Sequence, residues 1–538
     1  MSTQPRRRML PLAAPEMFGT VIPEGMKKNS RLLFMSYNIL AQALVRRDMF
    51  PLASKKALQW KFRRQNLLQE MLNYGPDIAC LQEVDFWDET YLPAFSKAGY
   101  DAVHYRNAKK KHGCAIIWRR SRFEKVEQRT IEYDDCGQPT FLTGNIGIMV
   151  GLKPVSSKAA ENPDPNADMV LPEDREEITQ KNGGPHDNQQ DSSDQGGLVV
   201  ATTHLFWRPD GSYERLRQAS IFMDKLMEFQ KSLNYTVLIG GDFNTTPRDA
   251  AYRVMTRNDM PHDQIPNLEK WLKSEVSRLN EAGKEQQQEQ QQQQSQNGTS
   301  ASQSDDGVQQ VQEKLESSLK LDGGVSSDIA PPVRNPGAGV LYPAPPTGIV
   351  LINRSNEEKP KEGGNANGTA AAGSGASKGE DAPVVAPLEA FTSPQDLVKA
   401  IHAHPRCLSI YSQYEEIMGQ NPQELAPPAK EEKGGDKEGQ EEVDKEEKVD
   451  DDPYRIKRLD FCHGEPKFTN YATWFKDTLD YVYLLEESDP ALYTPSSLRL
   501  YPRRLLEIPD HSWLGNGLPD EHFSSDHLCL LVEFYIRT

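Results

Sequence analysis

The sequence predicts a mixed α/β fold, and three observations carry that reading. Six short apolar segments of strand length each hold a metal-binding or acid–base residue at or next to one end. Stretches with helical periodicity lie between them. The remaining sequence is largely polar and low in complexity, and it interrupts this alternation without replacing it.

Leu33–Leu40 (LFMSYNIL) is the first segment and holds Asn38. Lys55–Tyr74 then places Ala57, Leu58, Trp60, Leu67, Leu68, Met71 and Leu72 at helical spacing, with Lys61, Arg63 and Arg64 between them. Asp77–Asp85 (DIACLQEVD) delivers Glu83, and Leu198–Leu205 (LVVATTHL) delivers His204. Tyr213–Gln230 has Leu216, Ala219, Phe222, Leu226 and Phe229 on one helical stripe. Thr236–Asn244 (TVLIGGDFN) delivers Asp242 and Asn244, and Gly240 and Gly241 allow close backbone approach just ahead of the acid. Thr246-Pro-Arg-Asp249 reads as a helix start with Pro just inside it, and Ser393-Pro-Gln-Asp396 as an N-cap signature. Leu479–Leu485 (LDYVYLL) opens with Asp480, and Ser524–Phe534 (SSDHLCLLVEF) opens with Asp526 and His527.

Residues 154–196, parts of 283–387 and 426–452 lack the apolar content that would offset the entropy of ordering, and are expected to be disordered inserts. They read as tolerated loop expansions or as partner-binding segments. A flexible N-terminus (1–28) followed by one interrupted domain (29–538) is expected, because the candidate site residues fall in several separate pieces. The formal charge is −17, which by itself argues against a nucleic-acid partner. Lys430–Asp452 and Pro154–Gly196 carry −7 each, leaving −3 for the rest, so the acidity belongs to the inserts. The six cysteines show no C-x-x-C spacing and read as buried thiols of a reducing compartment. No apolar run approaches the ~20 residues of a membrane span. Arg6-Arg7-Arg8, with no acid before Glu16, fits a transit peptide or a nuclear signal; a cytoplasmic and/or nuclear (nucleolar) location is expected ahead of a mitochondrial one.

Glu83, Asp242, Asp480 and Asp526 are four carboxylates at the margins of apolar segments, and bringing them together raises their pKa values unless a cation intervenes. Oxygen ligands without Cys suit Mg²⁺, or Mn²⁺, over Zn²⁺. His204 and His527 can donate to a phosphate oxygen or exchange a proton, and Asn38 and Asn244 can orient phosphate or water without adding charge. The inventory matches metal-assisted phosphodiester cleavage. It contains no G-x-S-x-G nucleophile, Walker loop or Rossmann fingerprint. Taken singly, each residue has a plainer reading as a turn residue or a strand-end charge facing water. Lys109, Lys110 and Lys111 either guide a phosphate backbone or form a solvated run.

In order, SYNIL, LQEVD, THLFW, GDFNTTP, LDYVYL and SSDHL resemble the motifs of the exonuclease–endonuclease–phosphatase superfamily. NILAQ, KKHGCAI, FTNYATWFKDTLDYV and LPDEHFSSDH resemble its carbon-catabolite-repressor, Nocturnin and Angel branch. LAQALVRRDMFP with SKKALQWKFR is most similar to fungal Ngl-type RNA 3′ exonucleases. The resemblance implies a four-layer α/β sandwich, two packed central β-sheets flanked by helices. It implies a Mg²⁺-dependent 3′→5′ exonuclease acting on single-stranded RNA 3′ ends, in ribosomal-RNA 3′-end processing or poly(A) shortening. It makes Glu83 the principal metal ligand, with Asn38 orienting it and Asp526 helping. Asp242 activates water, Asn244 holds water or phosphate, and His204 and His527 contact the scissile phosphate, the latter polarised by Asp480. Phe475 and Pro209 match positions that clamp the terminal base, and Asn145 matches a site-lining asparagine; Phe475 also reads as an ordinary core aromatic. Lys110 and Lys111 complete the expected RNA-binding set. The remaining alternatives are another phosphoesterase of this fold (abasic DNA, phosphoinositide or a nucleotide-cofactor phosphate) and a non-catalytic RNA-binding scaffold.

Overall fold

The computed structural model describes residues 7–13, 31–137, 140–155, 196–278, 280–281, 333–334, 341–342, 387–420, 463–487, 490–493 and 498–537. The expected inserts at 156–195, most of 283–387 and 426–452 lie outside the described residues, as does Cys462. The described residues belong to two compact units. One comprises 1–133, 144–268 and 393–538, and the other 134–143 and 269–392.

In the first unit, β1 (Met9–Pro11), β2 (Arg31–Asn38), β3 (Ile78–Val84), β4 (Tyr100–Tyr105) and β5 (Gly113–Arg119) join two late strands, β16 (Arg499–Leu506) and β17 (Leu530–Arg537). They form a seven-stranded sheet of order β1-β16-β17-β2-β3-β5-β4. The second sheet has β6 (Phe123–Glu132), β7 (Ile146–Pro154), β8 (Leu198–His204), β9 (Thr236–Asp242), β12 (Cys407–Ser409) and β15 (Asp480–Leu485), in the order β12-β15-β9-β8-β7-β6. Each sheet is antiparallel except for one central pair: β2 with β3, and β8 with β9. A two-stranded hairpin, β13 (Asn470–Tyr471) with β14 (Lys476–Asp477), stands ahead of β15. In the second unit, β10 (Val333–Arg334) pairs with β11 (Leu341–Tyr342), and Phe141 packs on Trp271 and Phe391 at 5.6 and 5.4 Å.

The central strands are apolar throughout because both of their faces are covered. Phe34, Ile78, Cys80 and Ile116 point between the sheets, where they meet Ile148, Val200, Leu238 and Val482. Their sequence neighbours Met35, Ala79, Leu81 and Ile117 face outward onto α1 (Trp60–Tyr74) and α2 (Leu92–Lys97). The second sheet is covered by α3 (Ser212–Leu233), which packs with α4 (Ala250–Met255) and α5 (Pro394–His402). The layers are therefore helix, sheet, sheet, helix, as expected.

Local expectations met the structure unevenly. Ser393 caps α5, its side chain accepting the Asp396 amide at 3.1 Å. The helix expected to start at Thr246 instead starts at Ala250; Thr246–Asp249 makes a turn first, closed by the Asp249 amide on the Thr246 carbonyl. Part of the supposedly flexible N-terminus is ordered. Leu10 and Leu12 are buried, β1 pairs with β16, and the buried Arg7 guanidinium donates to the carbonyl of Cys529 (2.8 Å) and of Glu507 (2.6 Å). Strands β4, β5, β6, β7 and β16 were not foreseen as strands. Cys80, Cys114, Cys407 and Cys529 are buried free thiols. Among the described residues no helix is long and apolar enough to cross a membrane.

Candidate active site

Strand direction explains why distant segments meet. In a parallel pair both C-terminal ends lie at one edge. Asn38 ends β2, Glu83 lies one residue from the end of β3, and His204 and Asp242 end β8 and β9. β15 runs antiparallel to β9 and begins at that edge, with Asp480 opposite Asp242. β17 runs antiparallel to β2, with its first residue Leu530 opposite Ser36, so the preceding Asp526 and His527 lie beside Asn38. The two sheets thus deliver seven polar groups to one end of the sandwich.

Local backbone departures aim them. The β3–β5 register slips between Leu81 and Val84, and Glu83 within this bulge has φ 56°. A bulge turns a side chain away from the regular alternation. Asn244 has φ 48°, a region that Asn tolerates better than most residues. Gly240 and Gly241 permit the contact between sheets and between strands. A Cβ on Gly240 would lie 2.8 Å from Phe34 Cε1, across the sheet interface, and one on Gly241 would lie 2.8 Å from the Thr203 carbonyl.

The hydrogen bonds join the two sheets. Asn38 Nδ2 donates to Asp242 Oδ2 at 2.8 Å and to Glu83 Oε1 at 3.2 Å. Glu83 Oε2 accepts the Ala41 amide at 3.0 Å, and Asp242 Oδ1 accepts the Asn244 amide at 2.9 Å. Asn244 Nδ2 donates to the Leu205 carbonyl at 3.0 Å. His527 Nδ1 donates to Asp480 Oδ2 at 2.8 Å, and Thr469 Oγ1 donates to the same oxygen at 2.6 Å. Ser525 Oγ donates to the Asn38 carbonyl at 2.7 Å and accepts the His527 amide at 3.1 Å. His204 Nε2 lies 3.5 Å from Asp242 Oδ2 and 3.9 Å from Glu83 Oε1. His527 Nε2 lies 3.8 Å from the same Asp242 oxygen.

Electrostatics separates the two histidines. Burial pushes His204 down to about 3 against the pull of Glu83, so it is neutral at physiological pH and offers an N–H without charge. Burial also opposes the charge on His527, but Asp480 and Asp242 outweigh it and hold the ring well above the ordinary histidine range. Burial, with the charge of Asp480, pushes Asp242 up to about 7. Burial works against ionised Glu83, yet His204, His112 and His527 together hold it below its ordinary value. Asp526 is raised by burial, and Glu83 adds to the rise.

A cation would relieve this crowding of carboxylates. The Oδ1 atoms of Asp480 and Asp526 are buried and have no hydrogen-bond partner. Ligand atoms of Asp242, Asp480 and His527 lie within 4.8 Å of one another. Within that trio, however, Asp480 Oδ2 is already compensated by His527 and Thr469. The unpartnered Oδ1 atoms of Asp480 and Asp526, and the Glu83 carboxylate oriented by Asn38 and the Ala41 amide, are oxygen donors of the kind a hard divalent ion takes.

The rim is more scattered. Phe475 is half-buried in the β13–β14 turn, beside the exposed Trp474. The hairpin touches the site through a bridge between Asn470 and His527. Pro209 is exposed on a loop whose Phe206 and Pro209 carbonyls accept from the buried Arg215. Lys110 lies over Gly144, and its charge adds to burial, the larger cause, in lowering the pKa of both His204 and His112; Lys111 is exposed. Asn145, expected to line the site, is 4% exposed and donates to the His204 carbonyl at 2.8 Å, so it fixes the end of β8.

Sequence reasoning passed over His112, Thr469 and Ser525. The His112 ring centroid is 6.3 Å from that of His204. Gly113 marks its approach, since a Cβ there would strike the Tyr105 carbonyl. Ser525 sits within the SSDHL motif, Thr469 within FTNYATWFKDTLDYV and His112 within KKHGCAI, so each lay inside a segment already singled out.

The model of the Endonuclease/Exonuclease/phosphatase family matches residues 35–294. RNA exonuclease NGL2 of Saccharomyces cerevisiae is 37% identical over 248 residues, covering 42% of this chain and 42% of that protein. The probable RNA exonuclease C9B6.11c of Schizosaccharomyces pombe is 36% identical over 230 residues, 42% of this chain and 38% of that protein. The matches thus span less than half the length of these relatives. Among solved structures, ANGEL2, a 2′,3′-cyclic phosphatase in complex with adenosine-2′,3′-vanadate, is similar at 18% identity and TM-score 0.46, covering 96% of this chain and 99% of that one.

Proposed function

Because the chain belongs to the endonuclease/exonuclease/phosphatase family, we propose that it is a Mg²⁺-dependent 3′→5′ RNA exonuclease that releases nucleoside 5′-monophosphates. The observation that carries this reading is the Asn38 amide group, which binds Glu83 of one sheet and Asp242 of the other at the same point. The choice of RNA draws on the relatives, which are named RNA exonucleases.

Glu83, oriented by Asn38 and aided by Asp526, would hold Mg²⁺ (or Mn²⁺). When bound, the ion lowers the pKa of the attacking water and neutralises charge gathering on the phosphate. Asp242, raised to about 7, takes the proton of that water, and Asn244 positions water or phosphate. His204 donates a neutral N–H to the phosphate, while His527, kept protonated by Asp480, stabilises developing negative charge. Water adds to phosphorus and the bond to the 3′ oxygen of the preceding nucleotide breaks. Phe475 and Pro209 hold the terminal base, stacking being worth about 1–3 kcal/mol; Lys110 and Lys111 guide the backbone. The setting is ribosomal-RNA 3′-end maturation or poly(A) shortening, in cytoplasm and/or nucleus, with the low-complexity inserts as the place for protein partners.

The test is purified full chain with Mg²⁺ on 5′-end-labelled RNAs carrying different 3′ tails. Stepwise shortening from the 3′ end is expected, abolished by Glu83→Ala. Wild type as inactive as Glu83→Ala on every RNA would sink the proposal.

A further inference from the structure

Arg63 belongs to the stripe that α1 turns inward, together with Leu67, Glu70 and Met71, and it is 0% exposed. Burying a guanidinium is costly unless its donors are all used. Arg63 Nε donates to the Ser524 carbonyl at 2.8 Å, and Nη1 donates to Gln42 Oε1 at 2.9 Å. Nη2 donates to the carbonyls of Ile39 (2.9 Å) and Leu40 (2.6 Å). No ion pair is formed by Arg63 among the described residues; Asp526 and Asp85 are the acids whose charges favour its protonated form, against the lowering by burial.

The partners are informative. Ile39 and Leu40 follow Asn38 directly, and Leu40 has φ 53°. This short segment shows the carbonyls of Ile39 and Leu40 to Arg63 and the amides of Leu40 and Ala41 to the site. The Leu40 amide donates to Asn38 Oδ1 at 3.0 Å and the Ala41 amide to Glu83 Oε2 at 3.0 Å. Ser524 immediately precedes Ser525, which ties the Asn38 carbonyl to the His527 amide. One rigid fork thus stands behind both the Asn38–Glu83 segment and the Asp526–His527 segment and touches no carboxylate.

We infer that Arg63 is a positioning residue that sets the spacing between Glu83 with Asn38 on one side and Asp526 with His527 on the other. The inference rests on the exonuclease reading for its kinetic consequence but not for its metal-binding one. A lysine keeps the charge but cannot reach three carbonyls and an amide oxygen in a fixed plane. The hydrogen-bond partners of Arg63 are Ile39, Leu40, Gln42 and Ser524, none of them in the proposed RNA-binding set, so its loss acts on turnover and metal affinity and spares RNA binding.

The experiment compares wild type, Arg63→Lys and Gln42→Ala as full chains, at a temperature where circular dichroism shows each folded. Arg63→Lys is expected to lose about tenfold or more in kcat, with KM for RNA changed by less than about twofold. It should also bind Mn²⁺ alone several-fold more weakly by calorimetric titration. Gln42→Ala, which removes a single partner, should move kcat and Mn²⁺ affinity the same way by a smaller factor. A folded Arg63→Lys with wild-type kcat and Mn²⁺ affinity, or with its loss confined to KM, overturns the inference. If Arg63→Lys does not fold, unchanged kcat and Mn²⁺ affinity in Gln42→Ala overturns it. If wild type shortens no RNA, the exonuclease proposal fails and the Mn²⁺ series alone decides the role of Arg63.

Discussion

Replacing Gly240 by alanine places a methyl group at the interface of the two sheets, directly behind the Asn38–Asp242 hydrogen bond. The new Cβ would lie 2.8 and 2.9 Å from Phe34 Cε1 and Cζ, and 3.0 Å from Ser36 Cβ. Ordinary contacts start near 3.4 Å. Phe34 is fully buried and has little room to turn, so β9 and β2 must separate by about 0.5–1 Å. Overpacking of this kind costs about 1–3 kcal/mol and should lower the melting temperature by a few degrees. The effect on activity is expected to be larger. The bond from Asn38 Nδ2 to Asp242 Oδ2, 2.8 Å long, crosses the same interface. A displacement approaching 1 Å costs about 10²-fold in rate when it separates reacting groups. The assay is nucleotide release by Gly240→Ala well below its melting temperature, with Phe34→Leu added in a second variant. The smaller side chain should recover part of the lost kcat. A folded Gly240→Ala with wild-type kcat would show that sheet spacing does not set this site.

Other outcomes follow from the same structure. Thr469→Val removes a donor from Asp480 Oδ2 and should lower kcat by about tenfold, in line with a lost hydrogen bond to a charged group of about 1.5–3 kcal/mol; equal kcat in a folded variant would contradict the role of Thr469. Glu465 is buried against the Tyr252 hydroxyl (2.8 Å), and burial raises its pKa from 4.5 to about 7. The native state therefore holds a proton that the unfolded chain gives up between these values, so stability falls as pH rises from 4.5 to about 7, by on the order of 3 kcal/mol. In Glu465→Gln, denaturant titrations should lose that slope; a slope unchanged from wild type would refute the assignment.

The residues that carry the candidate site were legible because catalysis leaves acids, amides and histidines beside apolar runs. Glu83, His204, Asp242 and His527 could be placed on their segments without coordinates. What brings them together was less visible. The apolar core of β2, β3, β8 and β9 announces buried strands, but edge strands such as β6 alternate weakly and have no comparable signal. Arg63 shows the limit of periodicity most clearly. By residue type it belongs on the solvent face of α1, whereas the helix turns it inward at the i, i+4, i+7 spacing of Leu67 and Glu70. Its partners are backbone carbonyls, which any sequence can supply. Asn145 makes a similar point, since it donates to the main-chain carbonyl of His204, a partner that any residue there would offer. Pro247 suggested a helix start that a turn delays, a local choice made by the Asp249 carboxylate on the Thr246 amide at 2.9 Å.

In the proposed reading Glu83 and Asp526, both delivered by the seven-stranded sheet, hold a divalent cation. Crystals of the full chain grown with Mn²⁺ and measured for anomalous scattering test it directly. A single strong peak about 2.2 Å from a Glu83 carboxylate oxygen, on the side of Asp526, is expected, and its loss in Glu83→Ala. A peak seated on Asp242, Asp480 and His527 with none at Glu83, or no peak at saturating Mn²⁺, would contradict it.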